Sequence, residues 1–416
     1  MDYPYTEGSQ LSLFVHASGR DGTVAPGPLT VDVVESMASP TMSVVLKVTF
    51  SEPYPSPRRH NPTRLAVLKL YDRRFTPSLH RKYNQSYDED GEDAWREYVG
   101  AGKAPALFAF LKEKTRRREE EEGVLVDTDS ETDSSSTSDG EDEEYDNPPP
   151  MKKKMVRTAA ELREKKGGRE SIIQWKAHEL FTCETRAYAK LSHLQGRYIS
   201  KLLAQVHLVH TTMLPAGASG DDVVTSHMYY NENFDIGGIL LEYINGFNLT
   251  NLGSPINSVP KEKFPSIVQL AVDAAEHINN AGVINLDCQP RNVVVERETL
   301  RPFHIDFAQC LFVEDLGCEE FRETARRLGN QRAIEKVMAV KLRRQGVVNI
   351  PEVRYDRCRW LWGLVRNVFA CFRSSLTCSS RYSRWGFYYP VVVGTGVVLV
   401  WLAARGISTL RARLCH

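Results

Sequence analysis

Two short stretches carry the residue types that chemistry at a phosphate needs. Asn285-Leu-Asp-Cys-Gln-Pro-Arg-Asn292 is followed by His304-Ile-Asp-Phe-Ala308, whose aspartate lies fourteen residues beyond Asn292. Asp287, Asn292 and Asp306 offer hard oxygen donors of the kind magnesium takes, and a carboxylate can also receive a hydroxyl proton. Anionic phosphates need such cations, so the two stretches together read as a candidate phosphoryl-transfer site. Asp287 and Asn292 bracket a turn containing Pro290, and Asp306 ends a short apolar run, a way of presenting a carboxylate at a cleft. Taken singly, the same residues also suit turn capping.

Upstream, Leu29 to Glu35, Met42 to Phe50 and Leu65 to Tyr71 are apolar and rich in β-branched residues, and the Ser36–Pro40 stretch between the first two is a turn signal. They predict an antiparallel sheet near the N-terminus. Residues 1–28 are polar and Gly-rich apart from Leu11 to Val15. Pro77 to Ala104 is mixed in character, and Pro105 to Arg118 predicts a short basic helix. In Ile172 to Leu194 apolar residues recur at spacings of three and four, predicting one amphipathic helix or two consecutive ones. His207 to His210 and Gly238 to Ile244 supply later strands, and Phe264 to Ala281 predicts a helix that Gly282 ends. Phe321 to Leu342 is a charged helical region.

With these elements in place, the region from Leu65 to about Gln309 resembles the protein kinase-like superfamily. It is most similar to a diverged fungal group of kinase-domain-like proteins with an I-L-N-x-D-V-x-P-R-N loop and a following D-F-A. The resemblance rests on Lys69, the Asn285–Asn292 loop and the Asp306 turn occurring in order. It implies an α+β, bilobal fold that uses ATP and Mg2+. Asp287 would orient an acceptor hydroxyl and take its proton, while Asn292 and Asp306 would bind metal. Lys69 would approach the α and β phosphates, although a lysine between Leu68 and Leu70 on a strand can also face solvent. Glu184, within Cys183-Glu-Thr-Arg-Ala-Tyr-Ala189, would be its ion-pair partner, with Glu179 as the alternative. Val67 and Leu241 would be apolar nucleotide contacts, and backbone amides from Glu242 to Ile244 would meet the adenine edge.

Several positions depart from the family pattern. No G-x-G-x-x-G occupies the first turn, where glycines let amides approach phosphate. Ser39 is the nearest substitute, and Pro40 lacks an N–H. Asn285 stands for the usual loop histidine and Leu286 for the arginine that answers a phosphorylated activation segment. Ala308 replaces glycine after Asp-Phe, adding a Cβ that would restrict the turn. No A-P-E segment follows Asp306. The expected activity is phosphoryl transfer from ATP to a hydroxyl acceptor, protein or small molecule. The alternative is an inactive pseudokinase acting as a membrane-tethered scaffold.

The rest of the chain bears on partners and location. Its 53 basic and 53 acidic residues cancel, so net charge predicts no partner, and no nucleic-acid signal is specific. Glu119 to Pro150 is acidic and Ser/Thr-rich and ends in three prolines, which predicts a disordered insertion, with Thr128 and Ser138 as acid-directed phosphoacceptors. The eight cysteines form no close CxxC pair and read as reduced thiols, and Met1-Asp-Tyr-Pro-Tyr lacks a secretory signal, so an intracellular protein is expected. Trp385 to Ala404 is uncharged and, at about 1.5 Å per residue, close to the roughly 30 Å of a bilayer core. The resulting division is a polar segment (1–28), the first part of an N-lobe sheet (29–76), and an insertion (77–170) with its acidic part at 119–150. An N-lobe helix, later strands and hinge (171–250) and a reduced C-lobe (251–356) follow. A basic amphipathic segment that meets membrane lipid (357–384) and a candidate transmembrane anchor (385–404) complete it.

Overall fold

Alternating burial along each N-terminal strand builds a six-stranded closed barrel in a computed structural model that describes residues 3–22, 24–37, 40–51, 63–83, 87–122, 158–208 and 235–346. Its strands are β1 (Gln10–Ser18), β2 (Gly27–Ser36), β3 (Val44–Phe50), β4 (Arg64–Leu70), β5 (Leu202–Leu208) and β6 (Ile236–Glu242). They pair antiparallel in the order β1-β2-β3-β4-β6-β5, and β1 closes the ring by pairing with both β2 and β5. Residues one step apart face opposite sides of a strand. In β4, Ala66, Leu68 and Leu70 fill the barrel, while Val67 and Lys69, followed by Tyr71, face outward. The polar N-terminal segment therefore supplies a barrel strand, built on the short apolar run from Leu11 to Val15.

The outward face of β4 and β6 packs against α4 (Ala159–Lys190). A capping box starts this 32-residue helix: the Glu161 N–H donates to Thr158 Oγ1 at 3.2 Å, and the Thr158 N–H donates to Glu161 Oε2 at 2.9 Å. A single helix thus runs through the region where the sequence allowed two.

The described residues of 77–122 are mostly helical and dock, although their composition reads as an interruption. They form α1 (Pro77–Lys82), α2 (Glu89–Gly100) and α3 (Lys103–Glu122). Trp95, Val99, Ala104 and Phe108 make a satellite core with Trp175 of α4. Beside it, the buried Arg73 guanidinium donates to Glu170 at 2.6 Å and to Glu92, and lies 4.0 Å from the Trp95 ring centre. The helices approach so closely at Gly167 that a Cβ there would stand 2.3 Å from the Ala94 carbonyl oxygen.

The later part is built on α5 (Phe264–Asn280), whose Ile267, Val268, Ala271 and Ala275 pack with Ile334, Met338 and Leu342 of α8 (Asn330–Arg344). Around α5 lie β7 (Gly246–Asn248), β8 (Val283–Asn285), β9 (Val293–Glu296), β10 (Pro302–His304) and β11 (Cys310–Phe312). Two short helices, α6 (Val313–Leu316) and α7 (Cys318–Leu328), precede α8. Gly329, at φ 57°, divides the charged helical region into α7 and α8. The class is α+β. Among the described residues no helix is long and apolar enough to cross a membrane, and 357–384 and 385–404 lie outside them. So do Ser39 and residues 123–150 of the acidic stretch.

Candidate active site

Two loops of this later part run side by side because the same strands hold both their ends. β8 pairs with β11, placing Asn285 opposite Cys310, and β9 pairs with β10, placing Val293 opposite His304. The loop from Leu286 to Asn292 and the turn from Ile305 to Gln309 lie between these pairs. The Leu286 N–H donates to the Gln309 carbonyl and the Ile305 N–H to the Asn292 carbonyl, both at 2.9 Å. Asp287, Asn292 and Asp306 are thereby brought onto adjacent backbone.

Within the first loop, Asn292 Nδ2 donates to Asp287 Oδ2 at 2.8 Å and to its carbonyl at 2.9 Å. Arg291 donates to Asp287 Oδ1, and its own side chain is 60% exposed. Asn285 ties the loop to the turn. Its Nδ2 donates to the Asp306 carbonyl at 2.9 Å, and its Oδ1 accepts from the Asp287 N–H at 2.9 Å. Asp306 adopts φ 64°, a left-handed conformation that aspartate tolerates better than most residues. Ala308 is not among the positive-φ residues, so the turn does not need the glycine that the family pattern has there. The adjacent Phe307 is fully buried and meets Tyr188 edge-on at 5.6 Å.

Lys69 reaches this turn from β4. It is 6% exposed, its Nζ lying 2.7 Å from Asp306 Oδ1 and 2.8 Å from Glu184 Oε2. The solvent-facing alternative for Lys69 is therefore not realised. Glu184, fully buried on α4, also accepts from the Tyr71 hydroxyl and, at 3.0 Å, from the Phe307 N–H. Glu179 instead pairs with Lys176 one turn away on its own helix, at 2.6 Å. Burial alone would lower the Lys69 pKa, but the Asp306 and Glu184 carboxylates more than offset it and hold the ammonium above its ordinary value. Burial likewise opposes ionisation of Asp306, and Lys69 overcomes it, leaving the carboxyl below its ordinary range. Burial, reinforced by Glu184, raises the Tyr71 phenol well above its usual value, keeping it a hydrogen-bond donor.

The residues expected as apolar nucleotide contacts and as hinge lie on β4, β6 and the link that follows, with one difference from expectation. Val67 and Leu241 are register partners across β4 and β6 and pack in the core between barrel and α4. Glu242 ends β6, and its N–H already donates to the Lys201 carbonyl at 2.9 Å. That amide is thus spent on the residue before β5, one position past the Leu202–Leu241 register pair. Ile244 is half-buried, in the link from β6 to β7.

Asp306 Oδ2 and Asn292 Oδ1 accept no hydrogen bond from a described residue. They suit a divalent cation, but two oxygens are fewer than magnesium requires, and phosphate oxygens and water would have to complete the shell. Consistently, no group of three or more His, Cys, Asp or Glu side chains among the described residues is placed to hold a metal alone. Sequence reasoning missed Tyr71 and the bridging role of Asn285. Tyr71 was accessible from period two, since it follows Lys69 on the same face.

No protein-family model matches this chain, and no curated protein does. Among solved structures, a mutant kinase domain of PknI from Mycobacterium tuberculosis is 12% identical. The alignment covers 82% of this chain and 95% of that one with a TM-score of 0.30. A double mutant of the same domain aligns at 12% identity over 81% and 96%, with a TM-score of 0.29. At these values the likeness adds nothing to what the geometry carries.

Proposed function

We propose that the chain is a diverged bilobal kinase-like protein that binds a magnesium nucleotide, ATP by preference, and transfers its terminal phosphoryl group to a hydroxyl acceptor. The observation that carries this reading is Lys69, held between Glu184 and Asp306 beside the Asp287–Asn292 loop. Glu184 is anchored by Tyr71 and Phe307, so it keeps Lys69 in place when an incoming phosphate replaces Asp306 as its second partner. Asp306 would then be freed, and it and Asn292 are the side chains that would hold a divalent cation. The group supplied there, Mg2+, would neutralise phosphate charge. Asp287 would orient the acceptor and take its proton.

A second reading, nucleotide binding without transfer, is favoured by one feature. Both Asp287 carboxylate oxygens are engaged, one by Arg291 and the other by Asn292. The Arg291 guanidinium beside Asp287 favours the ionised carboxylate and so opposes its taking a proton. Under this reading the acidic stretch 119–150 would recruit protein partners, and 357–404 would hold the chain at a membrane.

Magnesium-dependent nucleotide binding and ATP turnover, measured on the full chain and on Asp306→Ala, test the proposal. Binding and acceptor-dependent turnover that Asp306→Ala abolishes support transfer. Binding that depends on Lys69 and Asp306 without turnover across a broad acceptor panel supports the scaffold. Absence of binding in a folded chain rejects both.

A further inference from the structure

Behind the candidate site two cysteines meet. Cys183 precedes Glu184 on α4, and Cys310 opens β11, four residues past Asp306. The Cys310 N–H donates to Cys183 Sγ at 3.2 Å, and the Cys183 thiol lies 3.7 Å from the Cys310 and Phe307 carbonyl oxygens. The Cys183 sulfur thus lies against the Cys310 backbone, and a disulfide of roughly 2.05 Å would form by turning the Cys310 side chain toward it. Cys183 is half-buried, whereas Cys310 is buried. Neighbouring contacts keep the partners in register: Arg186 pairs with Asp315 through two bonds of 2.7 and 2.8 Å and lies 3.9 Å from the Phe312 ring centre, and Lys190 pairs with Glu314.

We propose that Cys183 and Cys310 are a reversible modification site, a dithiol–disulfide couple oxidised by a low-molecular-weight disulfide such as glutathione disulfide, which fastens α4 to the segment behind Asp306. The Cys183 thiolate attacks one sulfur of glutathione disulfide, breaking its S–S bond and releasing one glutathione thiolate, which takes up a proton. The Cys310 thiol then loses its proton and attacks Cys183 Sγ, expelling the second glutathione. The two protein thiols together give up two electrons and two protons, and glutathione disulfide gains them as two glutathione molecules. The hydrogen bonds from Cys310 hold the Cys183 thiol below its usual pKa against the effect of burial, whereas burial holds Cys310 well above its own. That difference suits Cys183 to attack first and Cys310 to resolve. By contrast, Cys288 is buried, its thiol pushed up to about 12, and takes no part.

The couple does not depend on phosphoryl transfer, so its test is made without an activity readout. The full chain is equilibrated in glutathione buffers graded from reducing to oxidising, acid-quenched, alkylated with N-ethylmaleimide and mapped by peptide mass spectrometry. A Cys183–Cys310 crosslinked peptide that appears and disappears reversibly is expected. Cys310→Ser should instead accumulate a glutathione adduct on Cys183. Oxidation should raise the melting temperature of the unsubstituted chain but not of Cys310→Ser. The proposal is overturned if Cys183 joins another of the eight cysteines, if the unsubstituted chain stops at the glutathione adduct, or if both thiols stay free throughout. Equal melting temperatures of oxidised and reduced chain overturn the fastening.

Discussion

The side chain of Asn285 donates to the backbone carbonyl of Asp306 at 2.9 Å across the two site loops. The same amide accepts from the Asp287 N–H, and Asn330 Nδ2 donates to the Asn285 carbonyl at 3.0 Å. One buried side chain thus sets both carboxylate-bearing segments. Asn285→Leu keeps the volume and leaves the Asp306 carbonyl and the Asp287 N–H unpaired, at about 1–3 kcal/mol each. A lower urea midpoint with an unchanged slope is expected, together with weaker magnesium-nucleotide binding. Asn285→His retains a ring donor and should lose less on both measures. Equal losses for the two variants would remove the bridging role.

Lys69 and Glu184 should prove strongly coupled. Lys69→Met leaves Glu184 as a fully buried carboxylate with only the Tyr71 hydroxyl and the Phe307 N–H. Breaking such a buried pair costs about 3–5 kcal/mol. Lys69→Met combined with Glu184→Gln removes the stranded charge and should recover part of that loss, while nucleotide binding stays absent. Denaturant titrations of the wild type, both singles and the double give the coupling. Strict additivity would show that the two do not act as a pair.

The pH dependence follows from the directions of the two shifts. Asp306 is depressed, so its contribution is present above the unfolded carboxyl value near 4 and lost as pH falls through the lower folded value. Lys69 is raised, so its contribution is complete below the unfolded value near 10.4 and lost as pH rises through the higher folded one. The stability gap between wild type and Asp306→Asn should therefore be flat from about pH 5 to 9 and close on acidification below about pH 4. Asp306 has a side chain 43% exposed, and solvent screening keeps the gap modest. A gap that peaks near pH 6.5 would instead implicate a histidine.

What the sequence could show depended on whether a signal was periodic and local. β4 was legible as a strand carrying Lys69, although which way the lysine faces stayed open, and the apolar period of α5 marked a helix with its end at Gly282. The spacing of Asp287, Asn292 and Asp306 was equally local. By contrast, β1 closes the barrel through pairing with β5 nearly two hundred residues away, and no feature of Leu11 to Val15 records that partner. The docking of α1 to α3 was hidden for a related reason. The core of α2 and α3 is one cluster around Trp95 and Trp175, and the buried Glu92 is answered by Arg73 from beyond β4, so composition alone read as an interruption. Asn285 was visible only as a departure from a family pattern. Its function lies in a carbonyl twenty-one positions away, which becomes its neighbour only once β8 pairs with β11.

Gly167 offers a test of how tightly the helical insertion is seated. In an exposed helix, glycine to alanine stabilises by about 0.8–1.0 kcal/mol through backbone propensity. At Gly167 the added methyl would stand 2.3 Å from the Ala94 carbonyl oxygen and 2.8 Å from the Tyr98 Cβ, both on α2. Neither can retreat without pulling Trp95 from its packing on Trp175 or Glu92 from Arg73. Overpacking of this kind costs about 1–3 kcal/mol, enough to offset the propensity gain. Gly168 is the internal control, since a Cβ there meets only the Tyr98 ring, no closer than 3.6 Å. Gly167→Ala should lower the melting temperature and speed proteolysis within 87–122, while Gly168→Ala should leave both unchanged or improved. The same order of effects in the opposite direction would mean that α2 is not held against α4 in solution.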